Sequence, residues 1–289
     1  MLLGSLVLAG LAGCGDDAAD DAAETPAASE FKVKPAPAEA SITDGHVTVG
    51  DVDLFIECEG SGTPAVVYET IAPGGRFAFY DVQQQLVGRT TVCTYDRAGQ
   101  GQSGGAPVHP SGQGYVDQAH ALLEAAGVPA PYILVGSSMG ADLTVHHARA
   151  YPDDVVGVVA WNPVLLDPGW GPRLQEEVSP EEWELMDKFL AGEDFDPYNW
   201  YASADEMAAL PTPDDVPLVL MHSDATQCEG IEGCDERYPT YTDLGAEYAE
   251  DWPGATYETV SLHHELDRED PDLVAGLVLD LVERSRDAG

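Results

Sequence analysis

The chain has 289 residues, 44% of them hydrophobic, with 30 glycines and 21 prolines. That is enough to bury one large core and lies near the upper size of a single domain. With 52 acidic against 12 basic residues the formal charge is −40, which repels nucleic acid and anionic lipid surfaces and excludes both as partners of the folded domain. Such a charge also repels itself at low ionic strength, and either a salt-rich habitat or extracellular solubility accounts for it.

At the N-terminus, MLLGSLVLAGLAGC is an apolar run too short to span a bilayer, and it ends in small residues before Cys14. It reads as a secretion signal. Leu11-Ala12-Gly13-Cys14 resembles the lipobox of bacterial lipoproteins. The resemblance implies removal of residues 1–13, a lipid on Cys14, and an exported protein held at the cell envelope by that anchor. The departure from the pattern is that no Lys or Arg precedes the apolar run. Residues 14–40 are acidic, rich in Ala and Pro and without periodicity, so they form a disordered tether. The catalytic domain is then residues 41–289.

Along that domain, short β-branched runs alternate with helical patterns, which predicts an α/β fold with a mostly parallel, doubly wound sheet of about eight strands. The predicted strands are His46-Val49, Leu54-Cys58, Ala65-Tyr68, Thr91-Tyr95, Tyr132-Gly136, Val155-Trp161, Leu218-Met221 and Tyr257-Val260. Apolar residues spaced three and four apart predict helices over Tyr80-Val87, Tyr115-Ala126, Ser138-Ala150, Thr242-Glu250 and Leu273-Arg284. About residues 165–213 the rhythm breaks into a segment rich in Trp and Tyr that contains Ser179-Pro180-Glu181-Glu182 at the head of a helical stretch. It is expected to be an inserted helical cap forming one wall of a pocket.

The chemistry centres on Gly136-Ser137-Ser138-Met139-Gly140, a G-x-S-x-G that follows a buried-strand run and opens a helix. A nucleophile at a sharp strand-to-helix turn needs small neighbours two residues away on each side, and Ser138 has them, whereas Ser137 does not. The helix N-terminus favours a developing oxyanion, with the Met139 N–H as first donor. The loop after Ala65-Tyr68 supplies the second, from Ala72 or its neighbour Ile71.

In the chain order nucleophile, acid, histidine, the base falls near the C-terminus, in SLHHELDREDPDLV. His264 is preferred over His263, and the other histidines are assigned to surface or packing. Asp224, just past the strand Leu218-Met221, is the expected acid; Asp214 and Asp215 precede that strand and fit worse. After the preceding strand stands Asn162, which cannot balance an imidazolium, so an acid there would have to be Asp167 reaching back.

These segments, with TTVCTYDRAGQGQSG and GSGTPAVVYET, resemble the α/β-hydrolases over nearly everything after about residue 45. In that family a Gly-His pair precedes a loop and a helix-starting proline; His264 lies seven residues before Pro271, and His263 stands where glycine is usual. The family's acid usually comes about two residues later than Asp224, where this chain has Thr226. The resemblance also makes the strands of Cys58 and Cys93 neighbours and a disulfide between them reasonable. Of the five cysteines, Cys228 and Cys234 enclose a short loop and pair naturally with each other. The rival zinc reading lacks ligand spacing.

Three patterns are set aside. Gly99-Gln100-Gly101-Gln102-Ser103-Gly104 matches a dinucleotide fingerprint but opens no helix. His264-Glu265-Leu266-Asp267-Arg268 lacks the second histidine of a zinc protease motif. Of His146 and His147, adjacent on one helix, one is expected to pack and one to be solvated.

The expected activity is hydrolysis of a small-molecule carboxylic ester or related acyl bond through an acyl-enzyme on Ser138, with no cofactor and no metal. A serine at the elbow argues against the dehalogenases and epoxide hydrolases of the family, which place aspartate there. Peptidase-like and carbon–carbon bond hydrolysis are alternatives within the fold, and a surface-displayed binding module without turnover is the alternative outside catalysis. Oligomeric state is not readable from these residues.

Overall fold

The computed structural model describes residues 43–71, 75–105, 111–193, 198–224 and 234–288. Cys14, Ala72 and Cys228, and with them the anchor, the second oxyanion donor and the Cys228–Cys234 pairing, lie outside the described residues.

Eight strands form one sheet: β1 Thr43–Val49, β2 Val52–Glu59, β3 Ala65–Glu69, β4 Val92–Tyr95, β5 Tyr132–Ser137, β6 Val155–Trp161, β7 Leu218–Ser223 and β8 Thr256–Val260. Each matches an expected run. Their order is β1-β2-β4-β3-β5-β6-β7-β8. The β1/β2 and β2/β4 pairs are antiparallel, and every other pair is parallel.

The parallel strands at the centre carry continuous apolar runs because both faces are covered, and every residue of β3, β4 and β5 is buried. One face packs on α1 (Tyr80–Leu86) and the C-terminal helix α9 (Pro271–Ala288), through Val82, Leu86, Val274, Val278 and Leu281. The other packs on α2 (Gly112–Ala125), α3 (Met139–Ala150) and α7 (Cys234–Glu250), through Leu122, Leu143, Val145 and Leu244. The short α8 (Leu266–Glu269) joins β8 to α9. The sequence pattern starts α7 at Thr242; the structure carries the helix from Cys234 through Pro239.

Between β6 and β7 lie α4 (Trp170–Glu176), α5 (Pro180–Leu190) and α6 (Trp200–Ala208). The start of α5 follows the expected signature: Ser179 accepts from the Glu182 N–H, and the Glu182 side chain accepts from the Ser179 N–H. Trp170, Tyr198 and Trp200 are buried, while Trp183 and Tyr201 are only partly covered. Cys58 and Cys93 face each other across the β2/β4 ladder and are joined by a disulfide.

Candidate active site

All parallel strands end on one edge of the sheet, and the candidate residues gather there. Ser138 follows β5 and is the N-cap of α3, with φ 53° and ψ −123°, a region a non-glycine residue enters only when its surroundings compel it. Its N–H donates to the Trp161 carbonyl of β6 at 3.0 Å, and its own carbonyl accepts from Ala141 N–H at 2.8 Å. The flanking glycines are required by contact. A Cβ on Gly136 would lie 2.2 Å from the Gly140 carbonyl oxygen, and one on Gly140 would lie 2.1 Å from that of Glu69. Ser138 is 6% exposed, and Met139 opens α3 fully buried, with its N–H in the helix's first turn, where backbone donors have no intrahelical acceptor.

β3 lies beside β5, with Glu69 opposite Gly136, so the chain leaving β3 passes over the elbow. Arg97, 1% exposed, holds that segment: Nη1 donates to the Thr70 carbonyl at 2.8 Å and Nη2 to the Ile71 carbonyl at 2.9 Å. Glu69 balances this guanidinium at 3.4 Å and accepts from the Tyr95 hydroxyl. Burial raises the Glu69 carboxyl, and Arg97 opposes the rise. Arg97 thus fixes the last two carbonyls of this segment among the described residues. The glycines of Asp96-Arg97-Ala98-Gly99-Gln100-Gly101 wrap a carboxylate rather than a phosphate. Gly101 has φ 50°, and Asp96 accepts from Gln102 N–H and from Arg76, both at 2.9 Å.

The two candidate bases separate. The His263 ring is exposed and meets the Glu269 carboxylate at 3.1 Å, whereas His264 is only partly exposed and its carbonyl accepts from the Asn162 amide at 3.2 Å. Burial lowers the His264 pKa and Glu265 partly opposes this. Asp224, at the end of β7, accepts from the Ser261 hydroxyl at 2.5 Å and donates its N–H to the Val260 carbonyl at 2.8 Å. Asp167 accepts from Gly169 N–H in a local turn.

Two buried groups escaped the sequence reading. Asp142, on the first turn of α3, accepts from the N–H groups of Val164 and Leu165, both at 2.8 Å, and fastens the start of the segment that leads to α4. Burial pushes its carboxyl up to about 7. Asp267, 3% exposed on α8, accepts from the Tyr68 hydroxyl at 2.8 Å and is pushed up to about 6. The expectation that one of His146 and His147 is solvated is corrected: both are buried. α3 is enclosed, so His146 meets Gln113 of α2 while His147 packs on the rings of His120 and Tyr151. Among the described residues no three His, Cys, Asp or Glu side chains cluster as a metal site would.

What the sequence did not disclose is what Arg97 and Asn162 bind: it places Asn162 after a strand and Arg97 in a glycine-rich turn without naming a partner for either. Their roles depend on carbonyls brought in from other parts of the chain.

Residues 80–190 match the family model described as Hydrolase_4, serine aminopeptidase, S33. Uncharacterized protein YqjL of Bacillus subtilis (strain 168) is 37% identical over 91 residues, 32% of this chain and 34% of that protein. The chain thus matches about a third of the length of this curated relative. Among solved structures, alpha/beta hydrolase domain-containing protein 10 from mouse superposes with a TM-score of 0.62 at 17% identity, covering 84% of this chain and 99% of that one. A thermophilic esterase from Thermogutta terrifontis gives 0.56 at 18%, covering 85% and 99%. The haloalkane dehalogenase DatA from Agrobacterium tumefaciens C58 gives 0.57 at 19%, covering 84% and 97%.

Proposed function

Since the chain has the α/β-hydrolase fold, we propose that it is a serine hydrolase cleaving a carboxylic ester or related acyl bond of a small molecule, with Ser138 as nucleophile. The observation that carries this reading is the strained backbone of Ser138 at the head of α3. That geometry sets the residue at the strand-to-helix turn, where the helix dipole acts. His264 takes the Ser138 proton, Ser138 attacks the carbonyl, and the N–H groups of Met139 and Ala72 hold the oxyanion. His264 then protonates the leaving group, and water resolves the acyl-enzyme by the same route. Asp224, which follows β7 and accepts from Ser261, is the acid of this scheme. Lowered by burial, the His264 imidazole is neutral and able to accept a proton at pH 7. A serine rather than an aspartate at the elbow supports acyl over haloalkane chemistry.

The match of residues 80–190 to a serine aminopeptidase family favours a second reading, hydrolysis of small aminoacyl amides. The experiment is turnover of p-nitrophenyl esters of increasing chain length and of aminoacyl p-nitroanilides, with labelling by a serine-directed phosphonate. Wild type is compared with Ser138→Ala, His264→Ala, His263→Ala and Asp224→Asn. Ester turnover that vanishes with Ser138 and His264 upholds the first reading, and preference for the anilides upholds the second. A wild type that neither turns over nor labels refutes both and leaves a binding module. Leu11-Ala12-Gly13-Cys14 supports export and envelope anchoring of this enzyme, checked by fatty-acid labelling in cells that Cys14→Ser abolishes.

A further inference from the structure

We infer that Asn162 is a positioning residue: its side-chain amide fastens the loop carrying His264 to the strand that neighbours Ser138. The inference rests on the reading of His264 as base and adds to it the group that holds the base in place.

Asn162 directly follows Trp161, whose carbonyl accepts from Ser138 N–H at 3.0 Å. It stands in the left-handed region, φ 51°, which asparagine tolerates better than most residues. Its own N–H donates to the Met221 carbonyl of β7 at 2.9 Å. The side-chain amide uses both of its functions. Oδ1 accepts from Ser223 N–H at 2.8 Å and from the Tyr238 hydroxyl at 3.4 Å, while Nδ2 donates to Ser223 Oγ at 2.9 Å and to the His264 carbonyl at 3.2 Å. Ser223 Oγ passes its proton on to the His263 carbonyl at 2.8 Å. One amide 4% exposed to solvent thus governs both histidine carbonyls, one directly and one through Ser223.

The chemistry of the amide explains why asparagine stands at a place where aspartate would have served as an acid. An amide presents an acceptor on one side and two donors on the other, and this cradle needs both. A carboxylate would keep the bond from Ser223 N–H but set an acceptor against the His264 carbonyl, and a buried acceptor facing an acceptor is costly. Asn162 acts on the backbone of His264 and not on its ring, so the imidazole's charge is left to other groups.

The test uses Asn162→Gly, which accepts the left-handed backbone while deleting the amide, Asn162→Asp, which keeps its shape, and Ser223→Ala, which removes the bond to the His263 carbonyl. Ester kinetics are measured together with the titration of the His264 ring by NMR of histidine-labelled protein. Displacement of a base by about 1 Å costs on the order of a hundredfold. Asn162→Gly and Asn162→Asp are expected to lower kcat by tenfold or more with KM unchanged, and to move the His264 pKa up toward the ordinary histidine value as water enters. Ser223→Ala should do the same to a smaller extent. Unchanged kcat and an unchanged ring titration in folded Asn162→Gly overturn the inference while leaving the hydrolase standing, as does higher activity in Asn162→Asp. A wild type without Ser138-dependent turnover refutes the hydrolase, and the ring titration then decides on its own whether Asn162 holds the loop. If neither Asn162 variant folds, the ring titration and kcat of Ser223→Ala decide in the same way.

Discussion

Replacing Gly140 by alanine puts one methyl group into the tightest backbone contact of the site. The new Cβ would lie 2.1 Å from the Glu69 carbonyl oxygen, 2.6 Å from its carbon and 2.9 Å from the Thr70 oxygen. Reaching even 3.0 Å requires the end of β3 and the head of α3 to part by about 0.9 Å. Neither can yield by a rotamer change, because the atoms met are backbone, and β3 is hydrogen-bonded to β4 on one side and β5 on the other. Overpacking of this kind costs about 1–3 kcal/mol, and a contact between two ladder-bound elements belongs at the upper end. The same displacement moves Thr70 and Ile71, which lead to the proposed second oxyanion donor, by a distance that costs on the order of a hundredfold in turnover. Urea denaturation and ester kinetics on Gly140→Ala measure both effects. Gly276→Ala is the control: nothing lies within 4 Å of its Cβ in α9, so it should stabilise by about 0.5–1 kcal/mol. A Gly140→Ala protein with wild-type midpoint and wild-type kcat would refute the close packing of β3 on the elbow.

Three further outcomes are expected. The Cys58–Cys93 bond closes a separation of 35 residues, so Cys58→Ala with Cys93→Ala should lose about 4 kcal/mol in urea by the chain-entropy relation, and unchanged midpoints with and without reductant would contradict it. Burial lowers His146 to about 4 and His147 and His222 to about 3. Since their unfolded value is 6.5, the unfolded chain binds more protons, and the stability they contribute is full above pH 6.5 and lost as the pH falls toward 3. His147→Gln should therefore flatten the fall of the urea midpoint below pH 6.5, whereas an equal slope in variant and wild type would show that the ring is not held neutral. Asp142 and Asp267, raised by burial, act in the opposite sense and soften the fall in both proteins. With a net charge of −40, self-repulsion should be relieved as the screening length drops from about 30 Å at 0.01 M salt to about 3 Å at 1 M. A melting temperature that does not rise over that range would remove salt adaptation as the reason for the acidity.

Much of this molecule is legible without coordinates, and particular residues show why. The central strands were readable because a buried parallel strand must be apolar along its whole length, as in Tyr132-Ile133-Leu134-Val135. Ser138 was readable because the elbow's constraint is local: it asks for small residues at fixed offsets, and Gly136 and Gly140 supply them. The α5 start was readable for the same reason, its capping pair lying three residues apart.

What acts over long separations in the chain was not. His263 and His264 are chemically identical neighbours, and only the fold sets one ring on Glu269 and leaves the other partly covered. His146 and His147 were misjudged because helical periodicity describes one exposed and one covered face, and α3 has neighbours on both. Arg97 reaches carbonyls 26 and 27 residues earlier, and Asn162 reaches one 102 residues later. Amino-acid order by itself determined the strands, most of the helices that flank the sheet and the serine at its turn, because each depends on residues within a few positions. Tertiary structure alone decided which side chains hold the segment after β3 and the loop of His264, because a hydrogen bond between distant segments exists only once the sheet has brought their carbonyls to one edge.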